Sequence, residues 1–245
     1  MTTTINPIRD KANDASPPPS EAAALSTCAA RLRLLQLASQ ALPTGAFAYS
    51  SGLESLYGLG HLRDETQCQS YLNSLMDNVV VHLELPLFCK MRRALVHGDF
   101  LAATELSDYL LASRESMEMQ EQERQMGRAL RRTLVDLRPS ACEGWQPGTF
   151  LEALAHASNI FGLSDEDAQE LVVYTWLEQH ISALCRIVPL GPLAGQRVLD
   201  GVLTHAPYAI MQARNLGDDE IGASAPQLAL ASALHETQYT RIFRS

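Results

Sequence analysis

The sequence predicts an all-α protein, a single globular domain of about ten helices. Three observations lead there. From Leu32 onward, apolar residues recur at three- and four-residue steps almost without interruption. Cap-forming side chains stand at Asp64, Asp99 and Ser164, just ahead of such runs. No segment shows a convincing two-residue alternation, and Val172-Val173-Tyr174-Thr175-Trp176, which has β propensity, lies inside a capped pattern too long for a strand. Residues 1–24 are set apart by three consecutive threonines and Ser16-Pro17-Pro18-Pro19-Ser20. They have little to bury, so they read as a disordered N-terminal tail, and residues 25–245 read as the helical domain.

In chain order, Asp64-x-x-Gln67 has the form of a capping box. Behind it Tyr71, Leu72, Leu75, Met76, Val79, Val80 and Leu83 share one helix face. Pro86 is expected to interrupt or kink that helix, with a second piece running to His97. Asp99 caps a helix carrying Leu101, Leu106, Leu110 and Leu111, and a further helix covers 113–137 with Met126, Leu130, Leu134 and Leu137 on one side. After a loop rich in Pro and Gly at 139–147, a helix spans 150–161. Ser164-x-x-Asp167 then starts the longest clean helix, to about Val188. Two helices near 193–203 and 208–216 follow, with Gly217 suited to a left-handed cap. Pro226 opens the last helix, to about Tyr239.

The chain has 245 residues, 46% of them hydrophobic and 19% charged, with a net charge of -9. This excludes a disordered chain, and it disfavours nucleic acid and anionic membranes as partners, whose phosphates would repel it. The five cysteines are scattered and include no C-x-x-C pair, which points to reduced thiols and a cytoplasmic protein rather than a disulfide or zinc scaffold. No secretory signal or membrane span is visible in the sequence.

Enzyme signatures are missing. There is no phosphate-binding G-x-x-x-x-G-K-[ST] and no G-x-G-x-x-G after a strand, and Ala48 stands where a nucleophile elbow around Ser50 needs glycine. None of the seven histidines forms H-x-H, H-x-x-H or H-E-x-x-H. A triad using Ser50, or a histidine-based small-molecule site, stays open as the rival reading because such sites assemble in space. So does an unrelated α-helical interaction module.

Three stretches stand out. The first, 42–54, is small and aromatic with glycines at two turning points, and it reads either as a packed helix–loop–helix corner or as a contact surface. The second, 114–132, mixes Arg114, Arg124, Arg128, Arg131 and Arg132 with four glutamates. It is either a self-paired solvated face, Glu121 with Arg124, or a set of guanidinium forks for a partner's carboxylates. Gly127 in its middle leaves room for another backbone to approach. The third, 235–245, ends in Arg241-Ile242-Phe243-Arg244-Ser245, where Arg and Phe are interface-anchor types.

Together and in this order these stretches resemble the urease accessory protein UreF family. The match begins with Leu34-Leu35-Gln36-Leu37 and the 42–54 run, and continues through Glu84-Leu85-Pro86, Ser113-Arg114-Glu115 and Gln125-Met126-Gly127. Later come Arg186-Ile187-Val188-Pro189-Leu190-Gly191 with Gly195-Gln196-Arg197, and His235-Glu236-x-Gln238-Tyr239-x-Arg241-Ile242-Phe243-Arg244-Ser245. The chain departs from the family at Pro192, Leu193 and Ala194, and around 155–162. The resemblance implies an all-helical, non-catalytic, dimeric scaffold. It would bind UreD (also called UreH), recruit the UreG GTPase and serve the urease apoprotein, with nickel handled by the complex and no cofactor held tightly. On the same grounds the expected partner-binding residues are Tyr49, Ser50, Glu54, Arg114, Arg186, Gln196, His235, Glu236, Tyr239, Arg241, Ile242, Phe243, Arg244 and Ser245.

Overall fold

In the computed structural model, which describes residues 19–223 and 225–245, the cap signals fix where the helices begin. Asp64 accepts from the Gln67 N–H at 2.9 Å and starts α3 (Glu65–Leu75). Asp99 accepts from Ala102 at 3.0 Å and starts α5 (Phe100–Ala112). Ser164 accepts from Asp167 at 3.0 Å and starts α8 (Asp165–Ile187). Each bond satisfies one of the orphan donors at a helix N-terminus. The remaining α-helices are α1 (Pro19–Ala38), α2 (Leu53–Gly58), α4 (Leu85–Val96), α6 (Met117–Leu137), α7 (Phe150–Ile160), α9 (Pro192–Arg214) and α10 (Pro226–Glu236). No strand occurs among the described residues.

Helix α8 is the axis of the packing. Leu171, Val172, Val173, Leu177, Ile181 and Leu184 are all buried, so it is apolar on most of its circumference, as a helix enclosed by others must be. Around it lie α1, α2, α4, α7 and α9. A second layer joins α6 to α7 and α5 to α4, and α10 bridges α2 and α6.

Several expectations need correction. The tail expected over 1–24 has its first 18 residues outside the described ones, and α1 begins at Pro19, inside that stretch. The second piece expected after Pro86 is α4, which ends at Val96 with His97 as its cap, but the α-helical pattern already changes ten residues before the proline. Residues Met76–Glu84 wind as a π-helix, and Pro86 then sits in the first turn of α4. The His82 carbonyl, four residues before Pro86 and denied its N–H, accepts instead from the Gly222 N–H at 2.9 Å. The two helices expected at 193–203 and 208–216 are one, α9, with Pro207 inside it. Ala206 and Ala209 on either side are buried, so packing keeps the two halves in one helix against the local preference of proline. Gly217 is extended (φ −73°, ψ 161°) rather than left-handed. Helix α10 stops at Glu236, short of Tyr239. Helix α6 starts only at Met117, with Ser116 as its cap, so Arg114 and Glu115 precede it.

Gly127 serves the purpose its mid-helix position implied. A Cβ there would lie 2.6 Å from the Thr149 carbonyl oxygen and 3.0 Å from the Phe150 nitrogen, where α6 crosses the start of α7. Those are main-chain atoms that cannot swing away, so Gly127→Ala should destabilise the protein by about 2 kcal/mol despite the better helix propensity of Ala. Urea unfolding of the two proteins measures this. Equal or higher stability of the variant would show that α6 and α7 can separate at no cost.

Candidate functional site

The turn at 45–52 is set by two left-handed glycines, Gly45 (φ 78°) and Gly52 (φ 80°). A Cβ on Gly52 would lie 3.2 Å from a Leu228 methyl group, so this residue also lets α10 come close. The turn points Glu54, the second residue of α2, into the interior, where it is 7% exposed.

Four groups converge on that carboxylate. Oε1 accepts from the Ile242 N–H at 2.8 Å and Oε2 from the Phe243 N–H at 3.0 Å. Gln238 Nε2 lies 3.4 Å from Oε1, and His235 Nε2 lies 3.2 Å from Oε2. The fully buried His235 ring meets a second carboxylate through Nδ1, 2.6 Å from Glu118 Oε2, and Glu118 also pairs with Arg241 at 2.5 Å. The segment 237–245 is thereby fastened to the body of the protein. The Arg244 N–H donates to the Ala48 carbonyl at 2.8 Å. The Ser50 N–H and hydroxyl both donate to the Ser245 main-chain oxygen, at 2.8 and 2.5 Å. Phe243 is buried under the Arg186 guanidinium, 4.4 Å from its ring centroid, while Arg186 donates to the Phe47 carbonyl at 2.5 Å.

Of the residues singled out in the sequence, Ser50, Glu54, Arg186, His235, Arg241, Ile242, Phe243, Arg244 and Ser245 are therefore brought together. Tyr49 joins beneath them, its hydroxyl donating to Gln125 at 2.6 Å. Glu236 accepts from the Met117 N–H at 3.0 Å, at the start of α6. Gln196 stands exposed on α9 outside this clasp, and Tyr239 is fully exposed. Arg114 belongs to a separate buried knot, 2.9 Å from Glu84 and 2.5 Å from Glu123. Burial works against its charge, but Glu123 and then Glu84 outweigh that and hold the guanidinium above its ordinary pKa. Glu118, Glu123 and Gln122, which accepts from the Ser245 hydroxyl at 2.7 Å, escaped the sequence reading. They lie in the α6 stretch taken for a self-paired face. In that face Glu121 pairs with Arg128 at 2.9 Å, not with Arg124.

Ser50 is bonded to a main-chain oxygen rather than to a histidine. Among the described residues no group of three or more His, Cys, Asp or Glu is placed to hold a metal ion, and no helix is long and apolar enough to cross a membrane. What the site offers is a closed clasp with an outer face made by Tyr239, Arg241, Ile242 and Arg244, all exposed.

Comparison with known proteins gives the family. The UreF family model matches residues 62–203. A relative named urease accessory protein UreF, from Chromohalobacter salexigens, is 39% identical over 214 residues, covering 86% of this chain and 93% of the relative. The chain belongs to the UreF family. Similar matches come from Brucella anthropi, a urease accessory protein UreF 2 at 39% identity with 87% and 96% covered, and from an Enterobacter UreF at 35% with 88% and 97% covered. The family of these relatives is one of accessory proteins, not of enzymes.

Two predictions follow from the site. Glu54→Ala leaves the Phe243 N–H and His235 buried without their acceptor, and should cost about 3 kcal/mol in urea unfolding. It should also raise amide hydrogen exchange at Ile242 and Phe243, and unchanged protection there would mean the clasp does not hold the segment. The second concerns His180 on α8, whose pKa is lowered to about 4 by burial, helped by Arg114 and opposed by a bond to the Trp176 carbonyl. An unfolded histidine titrates near 6.5, so the unfolded state binds the proton first. The stability due to the neutral ring is complete above about pH 6.5 and is lost as pH falls towards 4, in all about 3 kcal/mol. His180→Asn should flatten the stability–pH curve across that window, and an unaltered slope would assign the acid sensitivity elsewhere.

Proposed function

We propose that this chain is a non-catalytic scaffold of urease maturation. Its domain, residues 25–245, binds UreD (UreH) and recruits the UreG GTPase for GTP-dependent nickel insertion into the urease apoprotein. It works in the cytoplasm and as a homodimer, and nickel is cargo handled by the complex rather than a resident cofactor. The observation that carries this reading is membership of the UreF family, whose relatives bear the name urease accessory protein over nearly their full length. The chemistry supports it. The chain has no phosphate-binding loop, so a partner must supply GTP hydrolysis.

The clasp supports UreD docking on the last segment in particular. Phe243 and Ser245 are spent on the protein's own interior, whereas Tyr239 and Ile242 stand 102% and 61% exposed beside Arg241 and Arg244. A backbone held at Glu54 presents these side chains in one geometry, which lowers the ordering cost of binding. Aromatic and aliphatic anchors next to arginines are the composition of an interface centre.

Removing the whole segment would disturb the interior, so exposed positions give the cleaner test. Tyr239→Ala with Ile242→Asp should change unfolding free energy by less than about 0.5 kcal/mol. It should nevertheless sharply reduce co-purification with UreD. Full recovery of UreD with that variant would take the docking surface away from this segment.

A further inference from the structure

A cleft of about 340 Å³ opens between the 43–49 turn, α6 and the last segment. Its floor includes the buried Tyr49, and Phe47 stands at its edge, 72% exposed. Three guanidinium groups line it, those of Arg128, Arg132 and Arg244, and no Asp or Glu does among the described residues. In a chain of net charge -9 this is a local reversal of sign.

The cations are poorly neutralised from within. Arg128 reaches Glu121 at 2.9 Å at the exposed surface. Arg244 hydrogen-bonds the neutral Tyr49 side chain, and neither it nor Arg132 forms an ion pair with a carboxylate among the described residues. Arg128 and Arg132 are four apart on one helix, a spacing at which like charges repel. The Phe47 carbonyl accepts from Arg186, which fixes the stretch of backbone that carries this exposed ring. The geometry points to an occupant: we propose that this cleft receives an acidic segment of a partner protein, its carboxylates on Arg128, Arg132 and Arg244 and an apolar side chain against Phe47. Guanidinium forks match carboxylates in two parallel hydrogen bonds, and an aromatic edge supplies the apolar contact. Nucleic acid also carries anions, but the net charge of -9 on the chain as a whole repels a long polyanion more than a short acidic stretch. As a docking surface within the maturation assembly the cleft rests on the function proposed above. As a binder of acidic peptide it does not.

The test uses the full chain and a short fluorescein-labelled peptide of Glu and Ser with one central Leu. Fluorescence anisotropy should show binding that weakens with salt, falls roughly tenfold or more in R128E/R132E, and persists in R93E, an exposed reversal of the same sign elsewhere. R132Q leaves the Arg128–Glu121 pair intact and should weaken binding in the same direction, so a folding defect in the double variant does not decide the matter. No binding to the wild-type chain, equal binding to R132Q, or equal binding of an oligothymidylate each overturns the proposal. Binding of UreD, UreG and urease apoprotein to the wild-type chain, measured alongside, separates the two readings. Peptide binding with no maturation protein bound removes the assembly and keeps the cleft. Assembly with no peptide binding does the reverse.

Discussion

A carboxylate taken out of water must recover its lost hydration from the protein, and Glu54 does so by drawing a distant part of the chain, residues 235–243, onto itself. The Ile242 and Phe243 N–H groups and the His235 ring replace the water, from positions close to 190 residues away in sequence. The cost of leaving any of them unpaired in the interior is what makes the arrangement all-or-none. Because Glu54 is on α2 and His235 on α10, and Glu118 on α6 takes the other face of the ring, one polar cluster sets the relative placement of three helices as well as the path of the last segment.

The same device recurs with different partners. Glu84 and Glu123 share Arg114, and Glu123 also accepts from the Phe150 N–H at 3.1 Å, in the first turn of α7. Glu152, fully buried, has no ion-pair partner among the described residues. It is satisfied by the Trp145 indole N–H at 2.8 Å, the Ser107 hydroxyl at 2.7 Å and the Gly148 N–H at 2.9 Å. The acidity of the chain is thus partly internal. These carboxylates hold loops against helices in a protein without disulfides, where a loop has no ladder of its own to hold it.

How far the fold could be read in advance follows from where each signal is stored. Caps are local, a side chain and an N–H three residues on, so Asp64, Asp99 and Ser164 were legible. Proline's effect is local only when nothing else intervenes. At Pro86 a π-helical turn and the Gly222 N–H remove the penalty, and at Pro207 the packing of its neighbours overrides it, and neither is encoded near the proline. The site divides in the same way. The anchor character of 241–245 was visible in composition, yet the partition into buried Phe243 and exposed Ile242 depends on Glu54, far away in sequence. Glu118 looks like Glu121 by any helical periodicity, and only the approach of α10 makes one a buried partner of histidine and leaves the other at the surface.

The basic residues show why arginine suits this fold. Two of the 19 are lysines, Lys11 and Lys90, which leaves 17 arginines. Helices satisfy their own backbone, so the carbonyls in need of donors are those of the connections, and a planar fork with five N–H groups can serve several at once. Arg92 bonds the Asn159 side chain at 2.9 Å and the Leu163 carbonyl at 2.7 Å, closing the turn between α7 and α8. Arg131 holds the Trp145 carbonyl at 2.8 Å, and Arg186 holds that of Phe47. A lysine ammonium at any of these sites would reach one acceptor with certainty and lose the stacking that Arg186 adds on Phe243. Seen beside these, Arg132 and Arg244 differ in kind: neither has a side-chain bond to a loop carbonyl like those of Arg92, Arg131 and Arg186, and both face an open cleft. Where Arg92, Arg131 and Arg186 close the fold on itself, Arg132 keeps its charge for what lies outside, and the Arg244 side chain bonds only the neutral Tyr49 and leaves its charge unpaired among the described residues.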